Sequence, residues 1–234
     1  MSKLSITQLE EILRDRIGHT WDTSVLTSAK AKTDYSLYEL FVFTLVLEAA
    51  EELGAPPAVF KTLSGGSAVV TSAPDFKTGP HDLWSDGDVW ADLTLPGRRM
   101  PFEVHIGVCV EGKSGVPHEC DVSVLRARTA ERCRTSKITP KSHELVIAAE
   151  CKYYAQRIGI GMAREFLGLR YDLTVPSVAN HVAVNSPFVT DAQRLLYRHR
   201  VLGHDSLVPK LKSGRTPQIE SLIDQCKVAL QNYR

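Results

Sequence analysis

No apolar run of about eighteen residues occurs in this chain, so no membrane-spanning helix is expected. Met1 to Ser5 carry no apolar signal region, which points to a cytoplasmic protein. Cysteine is sparse and odd in number. The five thiols, at 109, 120, 133, 151 and 226, form no Cys-x-x-Cys pair, so buried free thiols are expected rather than a disulfide framework or a zinc site. Charge of one sign is also missing. A net charge of +1 argues against a general nucleic-acid coat and leaves room only for a local basic groove. Gly112-Lys113-Ser114 lacks the upstream glycine of a phosphate-binding loop, and a strand rather than a helix follows it. Asp75, Asp82, Asp86, Asp88 and Asp92 lack the spacing of a calcium-binding EF-hand loop and read as a solvated loop. There is no internal repeat, low-complexity tract or zinc finger. What remains, 234 residues with 43% hydrophobic and 24% charged, is enough for one domain with a full core.

The most informative stretch is Leu145-Val-Ile-Ala-Ala-Glu150-Cys151-Lys152-Tyr153-Tyr154. It reads as a buried strand that ends in charge. Side chains alternate across a strand, so Glu150 and Lys152 share a face and Cys151 takes the other. The plain alternative is a strand running out into solvent with a weak surface pair. Upstream, Cys120, Val122 and Val124 alternate with Glu119, Asp121 and Ser123, the period of a half-buried strand. If the two strands pair, Asp121 and Glu150 converge on one divalent cation beside Lys152. Two carboxylates, a backbone carbonyl and waters suit magnesium.

This Asp…Glu-x-Lys pattern resembles the PD-(D/E)xK nuclease superfamily, and in particular Mrr-type restriction endonuclease catalytic domains and archaeal Holliday-junction resolvases. The proline of the family name is absent before Asp121, and the spacing (150 − 121 = 29) leaves room for an inserted loop. The resemblance implies a restriction-endonuclease-like α/β fold, a mixed central β-sheet flanked by α-helices in the order α-β-β-β-α-β-α-β. It implies magnesium, with manganese as the alternative, held by Asp121, Glu150 and the carbonyl of Cys151, with Lys152 acting on the attacking water. Glu39, on a helix from about Ser36 to Leu53, matches the helix glutamate that relatives aim at the metal. Ser36 and Glu39 are also spaced as a capping box, and Glu48 is the other helix acid to weigh. The implied activity is hydrolysis of DNA, in restriction of or defence against foreign DNA. A silent nucleic-acid-binding or partner-binding module of the same fold, or a nuclease acting on RNA or branched DNA, remains open.

The rest of the chain fits one nuclease-like domain over 1–234, with its core at about 36–208. A helix over 5–17 has Thr7 and Glu10 spaced as a capping box. Residues 61–101 read as an irregular insertion, with one strand near Val89 to Leu95. Phe102 to Val110 alternate and form a hairpin with the Asp121 strand through Glu111 to Gly115. Between Leu125 and Leu145 lies a basic stretch with Arg126, Arg128, Arg132 and Arg134, read either as an exposed loop or as phosphate contacts. The resemblance implies that Arg157 and Arg164, the latter on a helix after Gly159, border the nucleic-acid groove. A strand from His181 to Asn185, a helix capped by Thr190, a strand over Val201 to Val208 and a helix over 216–232 complete the chain. Without a sequence-reading module, specificity must come from residues 61–101, from homo-oligomerisation or from a partner protein.

Overall fold

One helix is apolar on every side, and the rest of the molecule wraps it. The computed structural model describes residues 3–17, 33–72, 74–77, 79–98, 100–173 and 179–232. Within them α1 (Ile6–Ile17) and α2 (Asp34–Glu52) come first. From Leu37 to Ala50 nearly every residue of α2 is buried, as expected of a helix enclosed on all sides. Its ends are set by short-range chemistry. Thr33 accepts from the Ser36 N–H at 3.1 Å, and Gly54, at φ +85°, closes the helix with Gly54 N–H to Glu51 O and Ala55 N–H to Ala50 O.

The strands are β1 (Val59–Ser64), β2 (Ser67–Val70), β3 (Val89–Leu93), β4 (Phe102–Glu111), β5 (Pro117–Arg126), β6 (Leu145–Lys152), β7 (Asn180–Val184) and β8 (Leu202–His204). Interleaved with the later strands are α3 (Ala127–Ser136), α4 (Ile160–Asp172), α5 (Thr190–Arg198) and finally α6 (Pro217–Asn232). All eight strands join one sheet in the order β2-β1-β3-β4-β5-β6-β7-β8. Neighbours from β2 to β6 run antiparallel, whereas β6, β7 and β8 run parallel through the crossovers α4 and α5. The protein is thus an α/β molecule, a mixed sheet flanked by helices.

Register fixes what each face carries. Val122, Val124, Ile147, Ala149 and Cys151 point towards α2, which α1 and α6 flank. Lys61, Trp90, His105 and Ser123 align across the opposite face. There α3 lies against β4 and β5, while α4 and α5 enclose a second apolar cluster with Val182 and Val184. Among the described residues no helix is long and apolar enough to cross a membrane. All five cysteines are free, and four are buried.

Several expectations need correcting. Residues 61–101 are not an irregular insertion: they supply most of β1, all of β2 and β3, with Gly65 and Gly66 at positive φ closing the β1–β2 hairpin. The basic stretch after Leu125 is the helix α3 rather than a loop. The α1 box uses Ser5 and Gln8, not Thr7 and Glu10. Thr190 is the first helical residue of α5, and Val189 occupies the cap without a side-chain bond. Strand β8 covers only Leu202–His204 of the stretch expected.

Glu48 lies far along α2, pairing with Arg16 and with Arg215 at 2.9 Å, and its side chain is 2% exposed. Arg16 is fully buried beside it, so the cluster is structural. Removing one partner leaves a buried charge uncompensated, which typically costs about 3–5 kcal/mol. Glu48→Ala should therefore lower stability by about that much in urea unfolding; a loss below about 1 kcal/mol, the scale of an exposed pair, would contradict this placement.

Candidate active site

The site forms where β6 loses one neighbour. β5 and β6 pair as far as Val122 opposite Ala149, and one step further along that register Asp121 faces Glu150. There the ladder stops. In place of a backbone partner, the Cys151 N–H donates to Asp121 Oδ2 at 2.7 Å. Lys152 sits between the two acids, paired with Glu150 and 3.4 Å from Asp121 Oδ2. Asp121 is buried, and the side chains of Glu150 and Lys152 are only 18% and 26% exposed. A solvated surface pair is a poor description of three charged groups at this depth.

The strand also orients a carbonyl. Lys152 O accepts from Asn185 N–H, on the β7 side, at 3.3 Å. Backbone groups of successive strand residues point to opposite edges, so the N–H and C=O of Cys151 face the β5 side, where Asp121 is. The Cys151 carbonyl therefore faces the Asp121 side, and its thiol is buried towards α2.

Charge accumulates around this notch. Burial, then the Asp121 charge, raises the Glu150 carboxyl to about 7. Burial also raises Asp121, against the pull of Lys152. For Lys152 burial works downward, but Asp121 and Glu150 outweigh it and hold the ammonium above its ordinary range. Glu39 belongs to the same group. Burial, followed by the charges of Asp121 and Glu119, lifts it to about 8. Because Thr33 and Ser36 cap α2, the Ser36–Glu39 box does not form and Glu39 lies inside the helix.

Two residues here had no assigned role in the sequence. Glu119 precedes Asp121 by one strand period and is raised by burial and by Asp121. His81 bonds Asp88 at 3.0 Å, and its backbone pairs with Gly107 and Cys109. Between them lies Gly107, at φ +68°. A Cβ there would meet Gly79 O at 2.8 Å, with His81 Nδ1 at 3.4 Å and Glu119 Oε1 at 3.5 Å. Only glycine fits. Its period-2 position marked Glu119 in the sequence; nothing marked His81. Asn185 braces the end of β6, accepting from the Tyr154 N–H at 2.6 Å and donating to Tyr154 O at 3.0 Å.

Among the described residues no three His, Cys, Asp or Glu side chains form a ready-made metal cage. Magnesium keeps several waters and commonly takes only one or two protein carboxylates, so Asp121, Glu150 and the Cys151 carbonyl fit it. The Lys152 ammonium shows that the pair attracts a cation.

The expected basic surface is divided. Arg132 pairs with Glu144 at 2.6 Å, and both nitrogens of the Arg134 fork bond Glu103 at 2.7 Å, so those two are committed within the protein. Arg126 is half-buried, Arg128 is exposed on α3, Arg164 is exposed on α4, and Arg157 is exposed while donating to Phe188 O at 3.4 Å. No protein-family model, curated protein or solved structure matches this chain.

The raised carboxyls set the pH dependence of stability. Unfolded glutamates release protons near pH 4.5, whereas folded Glu150 and Glu39 hold theirs to about 7 and 8. The native state then binds more protons across that window, so these groups make stability fall as pH rises from about 4.5 to 8. In EDTA, Glu39→Gln and Glu150→Gln should each raise the melting temperature at pH 8 and flatten its decline. Variants no more stable than the parent at pH 8 would count against these environments.

Proposed function

We propose that this chain is a metal-dependent nuclease of the PD-(D/E)xK superfamily, hydrolysing phosphodiester bonds in DNA. The observation that carries the reading is Lys152 held between Asp121 and Glu150 at the splayed end of β6. The fold supports it. With β1–β3 and α3 set aside, α2-β4-β5-β6-α4-β7-α5-β8 follows the order implied by a restriction-endonuclease-like fold, with β7 parallel to β6.

Asp121, Glu150 and the Cys151 carbonyl would hold magnesium or manganese. A bound ion polarises the scissile phosphate and lowers the pKa of an attacking water. Glu150 would hold the ion in its charged form, and Glu39, beside Asp121, would share that field. Lys152, next to both acids, would orient the water and offset charge that develops on the phosphate. The exposed Arg128, Arg157 and Arg164 attract the backbone, and cutting foreign DNA is the biological role in keeping with the resemblance.

Plasmid, single strands, junctions and RNA are incubated with the protein in magnesium, and again in EDTA. DNA should be cut in magnesium alone. Asp121→Ala and Glu150→Ala should abolish cutting. Lys152→Ala should lower the rate by about 10²–10³, the scale of one lost electrostatic donor, while DNA binding in calcium persists. Native-rate cutting by Lys152→Ala sinks the assignment. Selective cutting of RNA or of junctions would keep the chemistry and change the substrate. Separately, replacing Arg128 and Arg164 with Gln should flatten the slope of log affinity against log salt by about one unit per lost phosphate contact. An unchanged slope would place these residues off the DNA path.

A further inference from the structure

A second recess lies on the same sheet face as the acids. It encloses about 590 Å³ between α3, the β1–β2 hairpin and the strands beneath. Trp90 is its floor, with the Arg134 guanidinium stacked over the indole at 4.2 Å from the ring centre. Part-exposed Trp84 supplies a second aromatic wall. Four of the six charged groups of the lining are matched internally. Lys61 pairs with Asp92, which also accepts from Trp90 Nε1–H at 2.9 Å, and Arg134 grips Glu103 with two bonds of 2.7 Å.

These pairings decide the ligand class. Glu131 and Lys137 complete the lining, giving three acids and three bases. A phosphate needs several uncommitted cations; here Lys61 and Arg134 are both committed, which leaves Lys137 against three carboxylates. A neutral planar ring with donors and acceptors on its edge suits the place better. Carboxylate oxygens keep lone pairs for its amino groups, unused N–H groups meet its carbonyls, and the part-exposed Trp84 indole offers stacking surface, Trp90 being covered by Arg134. The volume lies in the range of about 300–1,000 Å³ usual for ligand pockets.

Position narrows the class further. Trp90 aligns with His105 and Ser123, two strands across from β5 and two residues along from Asp121. At strand spacings of about 4.8 Å and rises of about 3.3 Å, pocket floor and acids lie about 12 Å apart. A duplex strand advances about 3.4 Å per nucleotide, so the separation corresponds to three or four nucleotides.

We propose that this pocket binds a nucleobase, carried either by a nucleotide displaced from DNA held at the acid cluster or by a free nucleotide. The DNA source rests on the nuclease reading; the free source does not.

Two measurements on the full chain, the first in EDTA and the second in calcium, separate the sources. In the first, each common nucleoside is titrated by calorimetry. In the second, duplex DNA carrying 2-aminopurine is added, and its fluorescence, which rises on unstacking, is followed. Saturable nucleoside binding weakened about tenfold or more by Trp84→Ala, the scale of one lost base–aromatic stack, supports the pocket with a free nucleotide as ligand. A 2-aminopurine signal lost in Trp84→Ala supports it with DNA as the source. Trp84→Phe keeps a stacking ring and should retain most of either response, which guards against a folding defect. Responses that are absent, or independent of Trp84, in both arms overturn the proposal. Glu150→Ala should bind nucleosides like the parent, so failure of the cleavage reading leaves this arm intact.

Discussion

Two carboxylates facing each other across parted strands, with one ammonium between them, are the constraint on which the rest of the site depends. Like charges at this depth repel strongly, and burial penalises each ionised form. Lys152 relieves part of that cost, but Glu39 and Glu119 add to the negative field. The site therefore favours protons or a cation. Strand β6 creates the opening. It pairs with β5 through Ala149 and with β7 from Ala148 onward, so its last residues have one neighbour and a free edge. This is the carboxyl end of a strand in the parallel part of the sheet, where open α/β folds commonly place their ligands.

The second helix layer gives that opening its setting. α3 covers the β4 side, while α4 and α5 cover β7 and β8, so the acids lie between two banks on one face. A line of buried polar groups runs from His81 to the aromatic pocket. His81 bonds Asp88 at 3.0 Å, Asp88 lies 3.7 Å from His105, and His105 contacts Glu103 at 3.1 Å. Glu103 in turn fixes Arg134 over Trp90. The Glu103–Arg134 bonds hold the pocket wall, while Asp88 Oδ2 and His105 Nδ1 are buried without a hydrogen-bond partner among the described residues, so the line is broken between them.

The parts legible in the sequence are those where one physical signal dominates. Helix α2 shows as a long apolar run ending at Gly54. The β4–β5 hairpin shows as period-2 alternation, and Glu150-x-Lys152 shows as charge closing an apolar strand. Strand faces bring Asp121 and Glu150 together only if the two strands pair, and the structure pairs them and sets the two acids opposite. Helix α3 hid because only Ala130 and Cys133 of its ten residues are buried, leaving almost no apolar stripe. Strands β1 and β2 hid because they are short and mostly exposed, so no apolar alternation marks them, whereas β3 shows in the stretch from Val89 to Leu95. His81 and Asp88 act through tertiary contacts that no local spacing records. Conversely, the boxes at Thr7 and Ser36 followed the sequence rule, but a better-placed Ser5 or Thr33 took each cap.

The most direct test is a structure of the protein with manganese, read from the metal's anomalous scattering. The account predicts an ion in the notch at about 2.0–2.4 Å from oxygens of Asp121, Glu150 and the Cys151 carbonyl, with the Lys152 ammonium moved out from between the acids. A notch in which Lys152 still bridges Asp121 and Glu150 at saturating manganese, with no peak between them, would contradict it.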